Sequence, residues 1–333
     1  MDIHIVRDNR FLNFFDKYNP DLVFVTNILS TADLILLRQA KKKKILSVGM
    51  VNSWDNIPYG KNPFRFLPDK LIVHNDIIKK DAVKYLGAKE KDIFVSGMPH
   101  FDHYVTSKRI SRNEFCRKLN IDPAKRVILF MSIGSVLNPT EPQDLSLLDD
   151  ALNKGKIPND VVVIFRSHPT EKEVVLESAK YSDKIVFDDS KTLIKNENES
   201  FSEILKDDMN HLADSIFHSE LIITTRSTTS IDASAFDTPI IDIVFDGLES
   251  RPYHKSVAVL YDPAYTYYQR IIESGGTRLA HSFEKLVSYI NMYLKDPSLD
   301  AEGRKRIVKE QCVLLDGKAG ERVGKFILSN LNA

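Results

Sequence analysis

Between residues 221 and 246 an apolar run, Leu221-Ile222-Ile223-Thr224, opens onto Thr225-Arg226-Ser227-Thr228-Thr229-Ser230 and then Ile231-Asp232-Ala233. A hydroxyl-rich turn between a buried strand and a short helix presents free backbone N–H groups and the positive end of a helix dipole, which together suit a diphosphate. Capping by Ser227 or Thr229 alone is the competing reading, but a cap needs one hydroxyl and this turn offers four beside Arg226. A second apolar strand ends in Arg166-Ser167-His168-Pro169. A guanidinium and an imidazole at a strand's carboxyl end can neutralise a departing nucleotide phosphate. Arg166 therefore joins the donor-side candidates, and His168 is a candidate for both donor binding and catalysis, against a histidine merely satisfied in a loop. His211 is a weaker candidate that is expected to face the domain surface.

In the first third of the chain, Gly49-Met50-Val51-Asn52-Ser53-Trp54-Asp55-Asn56 follows a buried strand and holds the single tryptophan. Polar residues at such a strand end are placed to meet an acceptor, and a carboxylate there can take a proton from an attacking hydroxyl. Asp55 is the candidate base, with Trp54 and Asn56 on the acceptor side. Packing by Trp54 and turn capping by Asp55 compete equally with that reading. Ser132-Ile133-Gly134-Ser135 lies after another strand but falls short of a G-x-G-x-x-G fingerprint.

Taken in order, the pieces Leu212-Ala213-Asp214-Ser215, Ser219 to Thr224, Ser227 to Ser230, Asp232-Ala233 and Asp237-Thr238-Pro239-Ile240-Ile241 resemble the donor-site signature of GT-B nucleotide-sugar enzymes. The resemblance is to the CDP-glycerol glycerophosphotransferase-like and surface-polysaccharide glycosyltransferase group, and more distantly to UDP-N-acetylglucosamine 2-epimerases. It runs from about residue 22 to 324 and implies an α/β, GT-B-like fold: two Rossmann-like domains with parallel sheets facing across a cleft, the N-terminal one reduced. By motif position Ser227, Thr228, Thr229 and Ser230 would contact the diphosphate, with Arg226 beside them, and Asp232 would orient the turn or a ribose hydroxyl. Gly134 and Ser135 match the glycine-containing donor loop, where small residues let a ligand approach the backbone. Gly97-Met98-Pro99-His100-Phe101-Asp102 resembles the Gly-x-Pro-x-x-Asp piece that ends the N-terminal domain, which would set His100 and Asp102 beside the acceptor, although glycine and proline there mostly serve chain geometry. CDP-glycerol-type enzymes carry a His-Gly pair where this chain has the segment around Asp55.

The elements that must position these residues alternate strand and helix, the pattern of parallel sheets covered by helices. Strands are expected over 22–26, 45–51, 71–74, 93–96, 127–133, 161–166, 185–187, 221–225 and 239–244. Helices are expected over 11–18, 31–42, 76–86 (ended by Gly87), 231–236, 283–294, 301–314 and 321–331. The domains read as 1–110 on the acceptor side, 111–318 for the nucleotide donor, and 319–333 as a closing helix. The first domain is short of strands, so it is either compact or without an N-terminal piece. Residues 191–200 are polar enough for a mobile loop.

The chain has 333 residues, 43% hydrophobic and 28% charged, with 46 basic and 46 acidic side chains. Zero net charge argues against a nucleic-acid coat, and Lys41 to Lys44 reads as a solvated helix end. Cys116 and Cys312 have no disulfide or zinc spacing. No apolar stretch reaches membrane-spanning length and the first residues lack a signal layout, so a cytoplasmic protein with at most peripheral membrane association is expected. The expected function is metal-independent and cofactor-free transfer of a sugar from a nucleotide-sugar to a hydroxyl acceptor, a carbohydrate or lipid-linked glycan of surface polysaccharide. The alternatives are a CDP-glycerol-type polyol-phosphate transferase and a non-catalytic nucleotide-binding subunit.

Overall fold

The computed structural model describes residues 8–54, 56–57, 66–168, 178–188, 192–194, 202–264 and 266–331. It divides into two compact units, Met1–Thr106 with Lys309–Ala333, and Ser107–Val308.

The first unit runs α1 (Leu12–Tyr18), β1 (Leu22–Val25), α2 (Thr31–Lys42), β2 (Leu46–Met50), β3 (Lys70–Val73), α3 (Asp76–Leu86), β4 (Ile93–Val95) and α4 (Asp102–Thr106). Its four strands form one sheet in the order β1-β2-β3-β4, parallel at every pairing. Local chemistry fixes the helix ends. The Asn75 side chain accepts the Ile78 amide at 2.8 Å to start α3, and Gly87 at φ +66° ends it in the left-handed region that glycine adopts without strain.

The second unit continues with α5 (Arg112–Lys118), β5 (Arg126–Met131), α6 (Glu141–Asn153), β6 (Val161–Arg166), β7 (Ile185–Asp188), β8 (Thr192–Ile194), β9 (Ser202–Ile204) and α7 (Lys206–Phe217). Then come β10 (Leu221–Thr224), α8 (Thr229–Ala235), β11 (Ile240–Ile243), α9 (Thr266–Ser274), β12 (Arg278–Ala280), α10 (Phe283–Lys295) and α11 (Ala301–Ile307). Six strands form a parallel sheet in the order β12-β11-β10-β5-β6-β7, while β8 and β9 make a small antiparallel pair. The chain leaves β5 toward β6 and β7, then returns on the other side to β10. That reversal is a topological switch point, where loops at the carboxyl ends of adjacent strands diverge and leave a crevice.

Alternation along the strands makes two cores. Ile128, Phe130, Val163 and Ile223 point to one face with Leu145 and Leu148 of α6 and Ile290 of α10. Val127, Leu129, Ile164 and Ile222 point to the other with Phe115 of α5, Ile216 of α7 and Ala233 of α8. Such double-sided burial accounts for the nearly uninterrupted apolar runs.

After α11 a single π-helical turn, Val308–Cys312, leads back to the first unit, where α12 (Ala319–Leu331) packs. Phe326 of α12 stacks on Phe94 of β4 with centroids 4.3 Å apart, and the Arg322 Nε donates to the Ser96 carbonyl at 2.7 Å. The helix expected over 301–314 is thus helical through Cys312, α-helical to Ile307 and π-helical beyond it. The expected closing helix is an integral part of the first unit rather than a separate element, and the units part at 106/107 rather than 110/111. The polar stretch 107–126 contains α5, which the expected elements omit. Of the loop expected over 191–200 only 192–194 lies within the described residues, as a strand. Cys116 and Cys312 are buried and form no disulfide. Among the described residues no helix is long and apolar enough to cross a membrane.

Candidate donor site at the switch point

Two loops flank the switch point. After β5, the buried Glu141 carboxylate accepts the Ser132 hydroxyl at 2.6 Å and the Ile133 amide at 2.8 Å. Gly134 follows at φ +87°, a conformation that favours glycine, and its carbonyl accepts the Leu137 and Asn138 amides at 3.1 and 3.0 Å. The loop is therefore built from beneath, while Ser135, Val136 and Leu137 are exposed. Asn138, fully buried, donates to Asp144 Oδ2 at 3.3 Å and to Thr225 Oγ1 at 3.4 Å. That last contact ties the glycine loop to the strand end after β10. Burial pushes the Asp144 carboxyl up to about 8, opposed by Asn138 and reinforced by the Glu141 and Asp246 charges.

After β10, Thr225 is buried and Arg226 takes φ +39°. Its amide donates to the Tyr261 hydroxyl at 2.7 Å and to Asp242 Oδ1 at 3.1 Å. The Ser227 hydroxyl accepts the Thr229 amide at 3.2 Å and lies 2.8 Å from Thr229 Oγ1. Closure follows through Ser230 N to Ser227 O and Ile231 N to Thr228 O, at 3.1 and 2.8 Å. Residues 226–229 are half-exposed at the strand tip, whereas Ser230 is fully buried, with its hydroxyl 2.9 Å from that of Tyr268. Gly134, Ser135, Arg226, Ser227, Thr228 and Thr229 thus sit on neighbouring strand ends. Ser230 departs from the expectation, because its hydroxyl faces the core. Asp232 is half-buried on α8, and Asp242 also holds the turn, its carboxylate accepting the Arg226 amide.

One strand further along, Arg166 ends β6 with 3% of its side chain exposed, and its two terminal nitrogens donate to Asp188 Oδ2 and Asp208 Oδ1, both at 2.7 Å. A guanidinium neutralised by two carboxylates organises the strand ends rather than offering a free cation to a phosphate, which corrects the sequence expectation for Arg166. His211 is not a bystander, since its Nε2 lies 3.0 Å from both Asp188 oxygens. Burial works against charge on Asp188, yet the His211 and Arg166 contacts outweigh it and hold the carboxyl below its ordinary value. His168 is half-buried two residues beyond Arg166.

The residues assigned to the acceptor side fare differently. Asp55 lies outside the described residues. Trp54 is buried, donates from Nε1 to the Gln311 carbonyl at 3.2 Å, and packs 5.2 Å from His74 and 5.5 Å from Phe101. Asn56 is buried, and its side-chain oxygen closes a turn by accepting the Asn52 and Ser53 amides at 3.2 and 2.9 Å. The Asp102 carboxylate accepts the Ala319 and Gly320 amides at 2.9 and 2.7 Å, starting α12. His100 Nε2 is 3.2 Å from the Tyr104 hydroxyl. Packing, turn closure and capping therefore replace the acceptor contacts expected of Trp54, Asn56 and Asp102.

Asp242, Tyr261, Tyr268, Glu141 and Asn138 escaped the sequence reading. A signal existed for Asp242, a lone carboxylate within the apolar run 239–244, because an acid in a doubly covered strand must have dedicated partners.

Two parallel Rossmann-like sheets, with a glycine loop and a hydroxyl turn at the switch point of the second, define a GT-B-type α/β protein. The chain belongs to the CDP-Glycerol:Poly(glycerophosphate) glycerophosphotransferase family, whose model matches residues 64–329, and it is a transferase. Among solved structures, the wall teichoic acid polymerase TagF superposes with TM-score 0.59 at 16% identity over 89% of this chain and 70% of that one. The UDP-GlcNAc 2-epimerase from Methanocaldococcus jannaschii, in complex with UDP-GlcNAc and UDP, gives 0.58 at 17% over 95% and 78%. S. aureus MnaA with UDP gives 0.59 at 15% over 97% and 78%. At these identities the likenesses establish the fold. No curated protein sequence matches the chain.

Proposed function

We propose that the chain transfers a polyol phosphate from a CDP-glycerol-type donor to a hydroxyl of a surface polymer. The family match over residues 64–329 carries this reading. The placement of Gly134, Ser135 and residues 226–229 on adjoining strand ends at the switch point supports it, since such crevices take nucleotide diphosphates. In the reaction an acceptor oxygen bonds to the phosphorus that bears the polyol. The bond from that phosphorus to the bridging oxygen breaks, CMP departs with the electron pair, and the acceptor proton passes to a base. Ser227, Thr228 and Thr229 meet the diphosphate, with Gly134 and Ser135 lining the approach and His168 beside the leaving group. Asp55 remains the proposed base. Charge compensation falls to hydroxyls, amides and side-chain cations, so transfer should survive EDTA.

Glycosyl transfer is the second reading, favoured by two observations: the His-Gly pair is missing around Asp55, and two of the structural relatives hold UDP. There the acceptor oxygen bonds to the sugar's anomeric carbon and the nucleoside diphosphate leaves. A cytoplasmic site at the membrane periphery suits either donor. Incubating the protein with CDP-glycerol or UDP-N-acetylglucosamine and a poly(glycerophosphate) acceptor separates the readings by the nucleotide released. CMP release with chain extension supports the first, UDP release supports the second, and release of neither refutes both.

A further inference from the structure

Asp242 is fully buried in the middle of β11, and four segments bring donors to its carboxylate. Oδ1 accepts the Arg226 amide and the Tyr261 hydroxyl, each at 3.1 Å; Oδ2 accepts the Thr277 hydroxyl at 2.6 Å; and the Tyr268 hydroxyl lies 2.6 and 2.7 Å from the two oxygens. Burial drives this carboxyl's pKa up, against the Thr277, Tyr268 and Tyr261 contacts. Proton counting then fixes the direction of the network. A phenol has one proton to give. With both tyrosine protons directed at Asp242, the Tyr261 oxygen is free to accept the Arg226 amide at 2.7 Å, and the Tyr268 oxygen accepts the Ser230 hydroxyl at 2.9 Å. The two tyrosines therefore grip the hydroxyl turn at both ends, Arg226 where it begins and Ser230 where α8 takes over.

Between those anchors lie Ser227, Thr228 and Thr229, the half-exposed residues of the turn. Arg226 stands at φ +39°, a conformation a non-glycine residue keeps only where its surroundings over-determine it. The two acceptors of its amide are that determinant.

We propose that Asp242 is the positioning residue of the donor turn: through Tyr261 and Tyr268 it fixes Arg226 and Ser230, and so the direction in which Ser227, Thr228 and Thr229 present their donors. This rests on the donor-site reading above. None of the three supporting side chains needs to touch the ligand, so their effect on binding is routed wholly through the turn.

The test titrates CDP and UDP calorimetrically into wild type, Ser227→Ala, Tyr268→Phe, Asp242→Asn and the double variant Ser227→Ala/Tyr268→Phe, with thermal midpoints measured in parallel. Tyr268→Phe removes one oxygen and keeps the ring, so it serves where Asp242→Asn fails to fold. Ser227→Ala and Tyr268→Phe are each expected to weaken nucleotide binding about tenfold, the scale of one well-placed hydrogen bond. The double variant should bind little worse than either single one, while the changes in thermal midpoint add. Absence of nucleotide binding by wild type, or no effect of Ser227→Ala, overturns the donor-site reading itself. A Ser227→Ala effect with wild-type affinity in Tyr268→Phe overturns the positioning role alone, as do affinity losses that simply add in the double variant.

Discussion

The two units place their buried polar groups differently. In the second, Asp242, Asn138 and Arg166 are each enclosed by several partners, and these networks lie directly under the loops at the strand tips. In the first, His74 is wholly buried at the end of β3, where its ring nitrogens make no well-formed hydrogen bond among the described residues and the Val51 backbone only weakly offsets the cost of burial. Its neighbour is the indole of Trp54, and one face of the sheet nearby packs Val48, Ile72 and Val323 together. A satisfied network rigidifies its surroundings, whereas an unsatisfied imidazole is a standing liability that only neutrality makes tolerable. The contrast teaches where precision is built into this molecule: under the donor turn.

The contrast can be broken or sharpened by mutation. Ile223→Ala, in a fully buried position of β10, should destabilise the second unit by about 3–4 kcal/mol, because the doubly covered sheet cannot collapse around the cavity. Ile72→Ala, on the face of the first sheet where the surrounding Leu22, Phe24, Met50 and Phe94 are only partly buried, should lose about 2–3 kcal/mol, read from chemical denaturation with a probe in each unit. Equal losses would remove the packing side of the comparison.

Titration gives the next effect. Burial lowers the His74 pKa to about 4 from 6.5, so its contribution to stability is present above pH 6.5 and is lost as pH falls toward 4. The loss approaches about 3 kcal/mol at low pH, and His74→Phe should flatten that acid limb of the stability curve. Asp144 runs the other way. With its carboxyl raised from 3.8 to about 8, the stabilising contribution is complete below pH 4 and disappears as pH rises through 8. Asp144→Asn should therefore lift the unfolding midpoint at pH 8 relative to wild type, by about 1–3 kcal/mol in stability, and change little at pH 4.

The smallest effect tests the capping role of Asp102. Asp102→Ala should destabilise the first unit by about 1 kcal/mol, as the loss of a helix cap does, and leave the Michaelis constants for donor and acceptor unchanged. A selective rise in the acceptor constant would restore the acceptor role.

Much of the fold was legible in the sequence. The apolar runs 161–166 and 221–224 read as strands because both faces are buried, and the end of α3 was marked by its cap residue Gly87. Helix α6 was missed although Leu145, Leu148 and Leu152 repeat at helical spacing, since Pro142 and four acidic residues give it a polar look. The hydroxyl turn was legible from composition. What composition could not supply was direction: whether Ser230 faces solvent or core, and whether Arg166 is free or already held. Those depend on residues far along the chain, Tyr268 for the serine and Asp188 and Asp208 for the arginine. Trp54 and Asp102 misled for the same reason, since their partners are Gln311, Ala319 and Gly320 at the opposite end of the sequence, whereas Asn56 closes a local turn on Asn52 and Ser53.

The account's central claim is that a nucleotide diphosphate sits at the switch point of the second sheet. Amide chemical-shift mapping of isotope-labelled protein during titration with CDP-glycerol tests it most directly. The largest shifts are predicted at Gly134, Ser135, Ser227, Thr228 and Thr229. Saturable shifts centred on His211 and Asp208, or on the first unit, with those five amides unmoved, would contradict it.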